Sequence, residues 1–223
     1  MNLALFDLDN TLLPIDSDYE WGQFLSKLGA VDAQAHAARN AAFFEQYQNG
    51  TLDPIEYLEF AFGTLARFPR SQLDAWHAQF MHEVIQPVIH PAALELVNKH
   101  QSNGDLVAII TATNRFVTGP IAEAFGVPHL IAAEPEISPS GDITGRLVGT
   151  PPFGAGKVIN TKIWLASLGK QLPDFSHSFF YSDSQNDIPL LSVVSNPVAT
   201  NPNARLLAHA KEHGWPTLHL FND

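Results

Sequence analysis

Carboxylate side chains occur in pairs after apolar segments at two places in the sequence. Asp7 and Asp9 close a short apolar run in "LALFDLDNT", and Asp183 and Asp187 follow a second run in "SFFYSDSQND". Acids gathered in a pocket of low dielectric cannot all stay ionised without a cation. Oxygen ligands without His or Cys favour a hard ion such as Mg2+, which completes its shell with water and substrate phosphate. The two pairs therefore predict a Mg2+ site that handles a phosphate group.

The segments before these acids are predicted to be buried strands of a parallel sheet. Residues 2–8, 105–113 and 177–182 each contain a continuous apolar run, as strands covered on both faces do. Helical patterns at 91–104, 156–169 and 203–214 alternate with them, which favours βαβ units and a doubly wound α/β core. Ligands of such sheets bind at the carboxyl ends of the strands. Thr111 and Asn114, which follow the apolar run of the strand at 105–113, are therefore expected beside the acids.

The first strand is followed by a stretch that does not alternate. Four helical patterns succeed one another between residues 17 and 88. We predict a core formed by residues 1–14 and 89–223, with a small helical cap at 15–88 inserted after the first strand. The turn-rich segment 136–154 predicts a hairpin or a loop near the site.

Composition excludes several classes of function. The 223 residues carry a formal net charge of -11 and no basic run, so nucleic acid and anionic membranes are poor partners. The chain has no cysteine, which excludes disulfides, thiolate catalysis and Cys-based zinc sites. The start "MNLALF" resembles neither a signal peptide nor a membrane span, and we expect a cytoplasmic protein.

Four motifs in this order resemble the haloacid dehalogenase superfamily of aspartate-nucleophile phosphatases. "DLDNT" is similar to the first motif, Thr111 of "IITAT" to the second, Lys157 to the third and "SDSQND" to the fourth. A helical insert directly after the first motif is typical of the phosphoserine-phosphatase-like branch, subfamily IB, which carries a C1-type cap. The resemblance covers nearly the whole chain and implies a Rossmann-like core.

The resemblance also implies a role for each motif residue. Asp7 would attack phosphorus and form an aspartyl phosphate, and Asp9 would act as general acid and then as general base. The family's Mg2+ would be held by Asp7, the backbone carbonyl of Asp9 and Asp183. The expected phosphate ligands are Thr111, Lys157 and Asn186, with Asp187 orienting Lys157 or the metal shell.

The substrate is expected to be a small phosphorylated metabolite with a positive charge. Asp16 occupies the position at which phosphoserine phosphatases usually carry a Glu for the substrate amino group, although an Asp there could equally be a helix cap. Their carboxylate-binding Arg is replaced by Ala61, and the usual second motif SGGF is replaced by "TATNRF", which leaves Thr113 and Asn114 as candidate substrate ligands. Histidinol phosphate fits this charge pattern.

Alternatives remain at this point. Phosphoserine is a second candidate substrate, and a catalytically silent binding or regulatory domain is a candidate of another class. A monomer and a homodimer are both compatible with the sequence.

Two further motifs are weak. "GAGK" does not form a nucleotide-binding P-loop, because Pro151 and Val158 replace the required Gly and Ser or Thr. His209 and His213 lie four residues apart without an accompanying metalloprotease motif, so an ordinary exposed pair is expected.

Overall fold

A computed structural model describes residues 1–221 of the protein, apart from the side chain of residue 48. Its strands are β1 (Leu3–Phe6), β2 (Leu106–Asn114), β3 (Leu130–Ile137), β4 (Ile143–Val148), β5 (Ser178–Ser182), β6 (Asn196–Thr200) and β7 (Thr217–Leu218). Within the described range they form one seven-stranded sheet in the order β4-β3-β2-β1-β5-β6-β7. All neighbours are parallel except β3 and β4. Strands β2 to β4 lie on one side of β1 and strands β5 to β7 on the other. In a doubly wound sheet, the ligand-binding crevice lies at such a reversal of strand order, here at the carboxyl end of β1.

Helices cover the sheet and form the insert. They are α1 (Ser17–Lys27), α2 (Ala33–Asn49), α3 (Pro54–Leu65), α4 (Arg70–Phe80), α5 (Pro91–Ser102), α6 (Arg115–Ala124), α7 (Ala155–Ser167), α8 (Ile188–Leu191) and α9 (Ala204–His213). A π-helical turn, Met81–Ile85, and a 3-10 turn, Gln86–Val88, continue α4 toward the core. Further 3-10 turns lie at Leu172–Asp174 and Gln185–Asp187.

The predicted α/β class and parallel sheet are confirmed. The four helical patterns of the insert correspond to α1–α4, and the turn-rich segment forms the β3–β4 hairpin. Pro and Gly mark the ends as expected: Pro91 begins α5, and Gly214 ends α9 in the left-handed conformation. Helices α6 and α8 and strands β6 and β7 were not predicted from the sequence, because each is short or contains proline.

The sheet is buried on both faces, which explains the continuous apolar strands. In β1, Leu3 and Leu5 pack into one hydrophobic cluster, whereas Ala4 and Phe6 pack into the other. All four side chains are fully buried. Full burial of a Leu or Phe side chain contributes about 1.5–3 kcal/mol, so β1 anchors the position of the acids that follow it.

The helical insert shares its hydrophobic core with the sheet. Trp21 of α1 and Phe62 of α3 belong to the same cluster as Phe6, and Trp21 contacts Phe116 of α6 edge to face with ring centroids 5.6 Å apart. The insert therefore packs tightly against the core, and the division at residues 15–88 stays a prediction. No described helix combines the length and the apolar composition that crossing a membrane requires.

Candidate active site

Asp7 lies at the end of β1, where it is held by a buried lysine. The backbone N–H of Asp7 donates to the carbonyl of Tyr181 on β5, which continues the strand pairing by one residue. The Nζ of Lys157 donates to Asp7 Oδ1 at 2.9 Å and to Asp187 Oδ2 at 2.6 Å. The hydroxyl of Ser182 also donates to Asp187 Oδ2, at 2.7 Å. Three motifs far apart in the sequence thus converge on one buried ionic cluster.

Burial shifts the ionisation of this cluster. It raises the pKa of Asp7 to about 7, although Lys157 acts in the opposite direction. Burial also raises the pKa of Asp183, and the nearby charges of Asp7 and Asp187 add to that shift. Burial lowers the pKa of Lys157, but the attraction of Asp187 and Asp7 outweighs it, and the net effect is a raised pKa. One ammonium does not offset the acids gathered here, so the protein alone leaves the carboxylates short of positive charge.

Thr11 connects the loop after β1 to the end of β5. Its hydroxyl donates to Asp183 Oδ1 at 3.2 Å and accepts from the Asp183 backbone N–H at 3.0 Å. Asn201, at the end of β6, donates its side-chain amide to the carbonyls of Asn10 and Thr11. Asn10 has a φ of 58°, in the left-handed region that Asn tolerates better than most residues. The loop that carries the acids is therefore fixed from two neighbouring strands.

Asp9 has hydrogen bonds to both of its carboxylate oxygens. The backbone N–H of Ser17 donates to Oδ1 at 2.8 Å, and the hydroxyl of Thr113 donates to Oδ2 at 2.8 Å. Burial raises the pKa of Asp9 to about 6, and Asp16 adds to the shift, while the two donors act against it. A carboxyl with a pKa near neutral pH is suited to exchange protons with a reacting group.

Asn114 is placed differently from its predicted role as a substrate ligand. Its side-chain amide donates to Asp18 Oδ1 at 2.9 Å, and its Oδ1 accepts from the N–H of Val117 and so caps α6. The hydroxyl of Tyr57 donates to the other oxygen of Asp18. Asn114 does not line the main pocket, whereas Thr113 does. Of the two candidate substrate ligands, Thr113 is therefore the one that lies in the main pocket.

Asp16 both caps a helix and lines the pocket. Its Oδ1 accepts from the backbone N–H groups of Asp18 and Tyr19 at 3.0 and 2.9 Å, so it is the N-cap of α1. Burial raises its pKa to about 6. Asp16 also lines the main pocket, together with Asp9. The helix-cap interpretation and the substrate-ligand interpretation are therefore compatible.

The main pocket joins the strand ends to the helical insert. Its walls include the acids Asp7, Asp9, Asp16 and Asp187, and the polar residues Thr111, Thr113, Lys157 and Asn186. The insert contributes aromatic side chains, among them Tyr19, Phe43, Phe44, Tyr47 and Tyr57. Among the described residues, no hydrogen-bond partner is found for the buried Nδ2 of Asn186. A buried amide donor without a partner is costly unless a ligand accepts from it.

Tyr47, near the end of α2, contacts the core directly beside the acids. Its hydroxyl donates to the Ser184 Oγ at 2.7 Å, and Ser184 lies between Asp183 and Asn186. Burial raises the pKa of Tyr47, and the charge of Asp183 adds to this shift, so the phenol stays protonated. Sequence reasoning missed this residue, because nothing in "FFEQYQNG" distinguishes a tyrosine that reaches the core from one that packs in the cap.

Two glycines explain how Lys157 reaches the site. Gly154 precedes α7 with a φ of 54°, which L side chains rarely adopt. A Cβ at Gly156 would lie 2.1 Å from the carbonyl oxygen of Pro151, so only glycine permits this close approach of the loop to the helix. "GAGK" thus serves to place a lysine at the start of α7.

The histidine pair lies on α9, outside the main pocket. The rings of His209 and His213 stack with centroids 4.0 Å apart, and His213 Nδ1 lies 2.9 Å from the carbonyl of His209. With Glu212, their ligand atoms lie within 4.8 Å of one another. Glu212 and His213 are exposed and His209 is half-buried, so this group has none of the enclosure seen around Asp7.

Comparisons with known proteins agree with this geometry. The profile of the family described as haloacid dehalogenase-like hydrolase matches residues 4–192. A histidinol-phosphatase from Neisseria meningitidis serogroup C (strain 8013) is 45% identical over 219 residues, covering 98% of this chain and 99% of that protein. The crystal structure of a protein with unknown function from Bordetella pertussis Tohama I has a TM-score of 0.94 at 49% identity and covers 99% of both chains.

A substrate-bound phosphoserine phosphatase has the same fold at much lower identity. Its TM-score is 0.67 at 18% identity, and the match covers 97% of this chain and 91% of that one. The predicted family is therefore confirmed by a sequence profile that spans most of the chain and by full-length relatives. This protein belongs to the haloacid dehalogenase-like hydrolases.

Proposed function

We propose that this phosphatase hydrolyses a small, cationic phosphate monoester through an aspartyl-phosphate intermediate, with Asp7 as nucleophile and Asp9 as acid and base. The observation that carries the proposal is the ionic cluster at the end of β1. Lys157 holds Asp7 at the base of a pocket, and Asp9 borders the same pocket with a pKa near 6. A fixed carboxylate beside a proton donor is what covalent phosphoryl transfer with a poor leaving group requires.

The reaction proceeds in two balanced steps. An oxygen of Asp7 forms a bond to phosphorus while the bond from phosphorus to the ester oxygen breaks, and the Asp9 carboxyl gives its proton to that departing oxygen. The alcohol leaves, and Asp9 remains as a carboxylate. Asp9 then takes a proton from water as the water oxygen bonds to phosphorus and the bond from phosphorus to the Asp7 oxygen breaks. Inorganic phosphate leaves, and the Asp7 carboxylate and the Asp9 carboxylic acid are restored.

The donor set fits a Mg2+ ion. Asp7, Asp183 and the backbone carbonyl of Asp9 offer only oxygen ligands, which a hard divalent ion prefers. The raised pKa values of Asp7 and Asp183 support this assignment, because they reflect buried acids with too little positive charge around them. Bound there, the ion would neutralise charge on the phosphoryl group.

Three residues are available to bind the phosphate oxygens. Thr111 and Asn186 line the pocket together with Lys157. The buried Nδ2 of Asn186 has no partner among the described residues and can donate to a phosphate oxygen. Lys157 adds charge, and Asp187 keeps its ammonium in place.

The charge of the pocket supports histidinol phosphate as the substrate. Four Asp residues line it, and Lys157 is the only cationic side chain among the described residues that do. Ala61 borders a different, smaller cavity and offers no donor for a carboxylate. An ammonium or imidazolium group beside Asp16 and the aromatic side chains is therefore favoured over the carboxylate of phosphoserine. The 45% identical histidinol-phosphatase gives independent support.

Steady-state assays test the chemistry and the substrate separately. We expect Mg2+-dependent hydrolysis of histidinol phosphate with kcat/KM about 100-fold above that of phosphoserine, a difference of about 2.7 kcal/mol in transition-state binding. EDTA and Asp7→Asn should abolish turnover. The matched control is Asp32→Asn, since Asp32 is an exposed N-cap of α2 and Asn caps equally well.

Each outcome has a distinct meaning. Equal or faster turnover of phosphoserine would refute the substrate assignment and leave the chemistry standing. Activity that survives Asp7→Asn or EDTA would refute the proposed mechanism. If no phosphate ester in a panel that includes p-nitrophenyl phosphate is hydrolysed, the chain is a binding or regulatory domain instead.

A further inference from the structure

The end of β2 places a threonine hydroxyl against the proposed acid and base. Thr113 donates to Asp9 Oδ2 at 2.8 Å, and the Ser17 N–H donates to Oδ1 at 2.8 Å. The two donors lie on different elements, β2 and the start of α1. The Asp9 carboxylate is thus held from both sides, and rotation about its side chain would break at least one hydrogen bond.

An irregularity in β2 brings Thr113 into this position. Four residues of β2, from Ile110 to Asn114, advance along only two residues of β3, from Ile131 to Ala133. Residues 111, 112 and 113 all line the pocket, which the strict alternation of a regular strand would not allow. The Thr113 N–H donates to the Thr111 hydroxyl at 3.1 Å, which fixes the backbone at the bulge.

We propose that Thr113 is a positioning residue that acts through Asp9: its hydroxyl orients the carboxyl group for proton transfer to the leaving group. This inference rests on the proposed function, because it assigns Thr113 to the acid and base step of that reaction. The hydroxyl hydrogen of Thr113 is already donated to Asp9, so it is not free for the substrate. The role differs from that of a phosphate or substrate ligand, and the two can be distinguished by experiment.

The distinction depends on the leaving group. In the first step the Asp9 proton moves to the ester oxygen as its bond to phosphorus breaks. An alkoxide is strongly basic and needs that proton, whereas p-nitrophenolate leaves readily without it. Well-placed general acid catalysis contributes about 10²- to 10⁴-fold, so a misoriented Asp9 should slow alkyl esters selectively. A lost substrate contact would slow both kinds of ester equally.

The experiment compares kcat/KM for alkyl phosphates and p-nitrophenyl phosphate. This parameter reports the steps up to departure of the leaving group and excludes hydrolysis of the intermediate. For Thr113→Val, we expect kcat/KM to fall about 10- to 100-fold more for the alkyl esters than for the aryl ester. Thr113→Ser, which keeps the hydroxyl, should restore the wild-type ratio. Thr118→Val is the matched control, since Thr118 is a buried threonine whose hydroxyl donates to the Asn114 carbonyl.

A double-mutant cycle tests whether Thr113 acts through Asp9. In an Asp9→Asn background, Thr113→Val should cause no further selective loss on alkyl esters. Should Thr113→Val fail to fold, as judged by circular dichroism, Thr113→Ala provides the same comparison.

The outcomes separate this inference from the proposed function. An equal loss on both ester types, a serine variant that fails to restore the ratio, or full additivity with Asp9→Asn would overturn the role of Thr113 and leave the phosphatase intact. If the wild type lacks Asp7-dependent hydrolysis of any ester, the proposed function is refuted, and this inference is refuted with it.

Discussion

Replacement of Gly156 by alanine should move Lys157, the lysine that holds Asp7, the proposed nucleophile. The new Cβ would lie 2.1 Å from the Pro151 carbonyl oxygen and 3.3 Å from its carbon. Both atoms belong to the backbone, so no side-chain rotation relieves the overlap. The Gly156 N–H also donates to the carbonyl of Phe153 at 2.8 Å, which ties the same loop to the first turn of α7. Either the loop or the helix start must therefore shift.

The size of the shift determines the expected loss of activity. A Cβ atom essentially never approaches another heavy atom within 3.0 Å, so the backbone must move by about 1 Å. Lys157, the next residue, makes contacts of 2.9 and 2.6 Å to Asp7 and Asp187 that such a movement would break or lengthen. Misplacement by about 1 Å costs on the order of 10²-fold in rate. Overpacking adds a loss of about 1–3 kcal/mol in the free energy of unfolding.

Two measurements on the same variant test this reasoning. We expect kcat/KM for p-nitrophenyl phosphate to fall about 100-fold and the urea midpoint to decrease. Gly63→Ala is the control, because Gly63 lies inside α3 and a Cβ added there would meet no atom within 4 Å. This control should keep its activity and gain about 0.5–1 kcal/mol in stability. A Gly156→Ala enzyme with kcat/KM within about two-fold of wild type would refute the argument.

Two further predictions concern buried charges. Burial raises the pKa of Asp18 from 3.8 to about 6, so the folded state binds a proton at Asp18 more tightly than the unfolded state does. The stability contributed by this proton is lost as the pH rises through that range. Relative to Asp18→Asn, the wild type should lose about 3 kcal/mol of unfolding free energy between pH 3.5 and 7, as measured in urea; a pH-independent difference would contradict this. Lys157→Met leaves Asp7 and Asp187 buried without their cation. It should lower the free energy of unfolding, measured in urea without added metal, by about 3–5 kcal/mol. Lys162 is exposed on the same helix, and Lys162→Met should change the free energy of unfolding by no more than about 0.5 kcal/mol. Equal effects of the two lysine substitutions would argue against the ionic cluster.

The parts of the site that sequence could predict are those fixed by strand topology. Asp7, Thr111 and Asp183 each follow a buried apolar run, and parallel strands bring their carboxyl ends to one edge. The structure gathers them as expected around the ends of β1, β2 and β5. Lys157, at the start of a predicted helix, can be named from the sequence as an available phosphate donor, but a lysine there is common on protein surfaces, and the resemblance to a family was needed to give it a role.

The remaining contacts depend on geometry that leaves little trace in the sequence. The bond from Thr113 to Asp9 requires the irregularity in β2, which no residue type in "ITATN" specifies. The bond from Tyr47 to Ser184 requires a particular tilt of the insert on the core, set by the packing of large aromatic side chains. Both hydrogen bonds join residues more than a hundred positions apart, so the sequence alone did not predict them.

The residues that replace the usual second motif form hydrogen bonds with two acids. In "TATN", the second threonine donates to Asp9 and the asparagine donates to Asp18, so two adjacent residues of β2 supply donors to two acids of the segment after β1. A side chain without a hydrogen-bond donor at either position would leave its acid with one fewer donor in a crowded acidic region, at a cost of about 1–3 kcal/mol for each buried group. The strand end and the acidic segment therefore function as one unit. A substitution at Thr113 or Asn114 should be interpreted through its acidic partner before any direct contact with substrate is invoked.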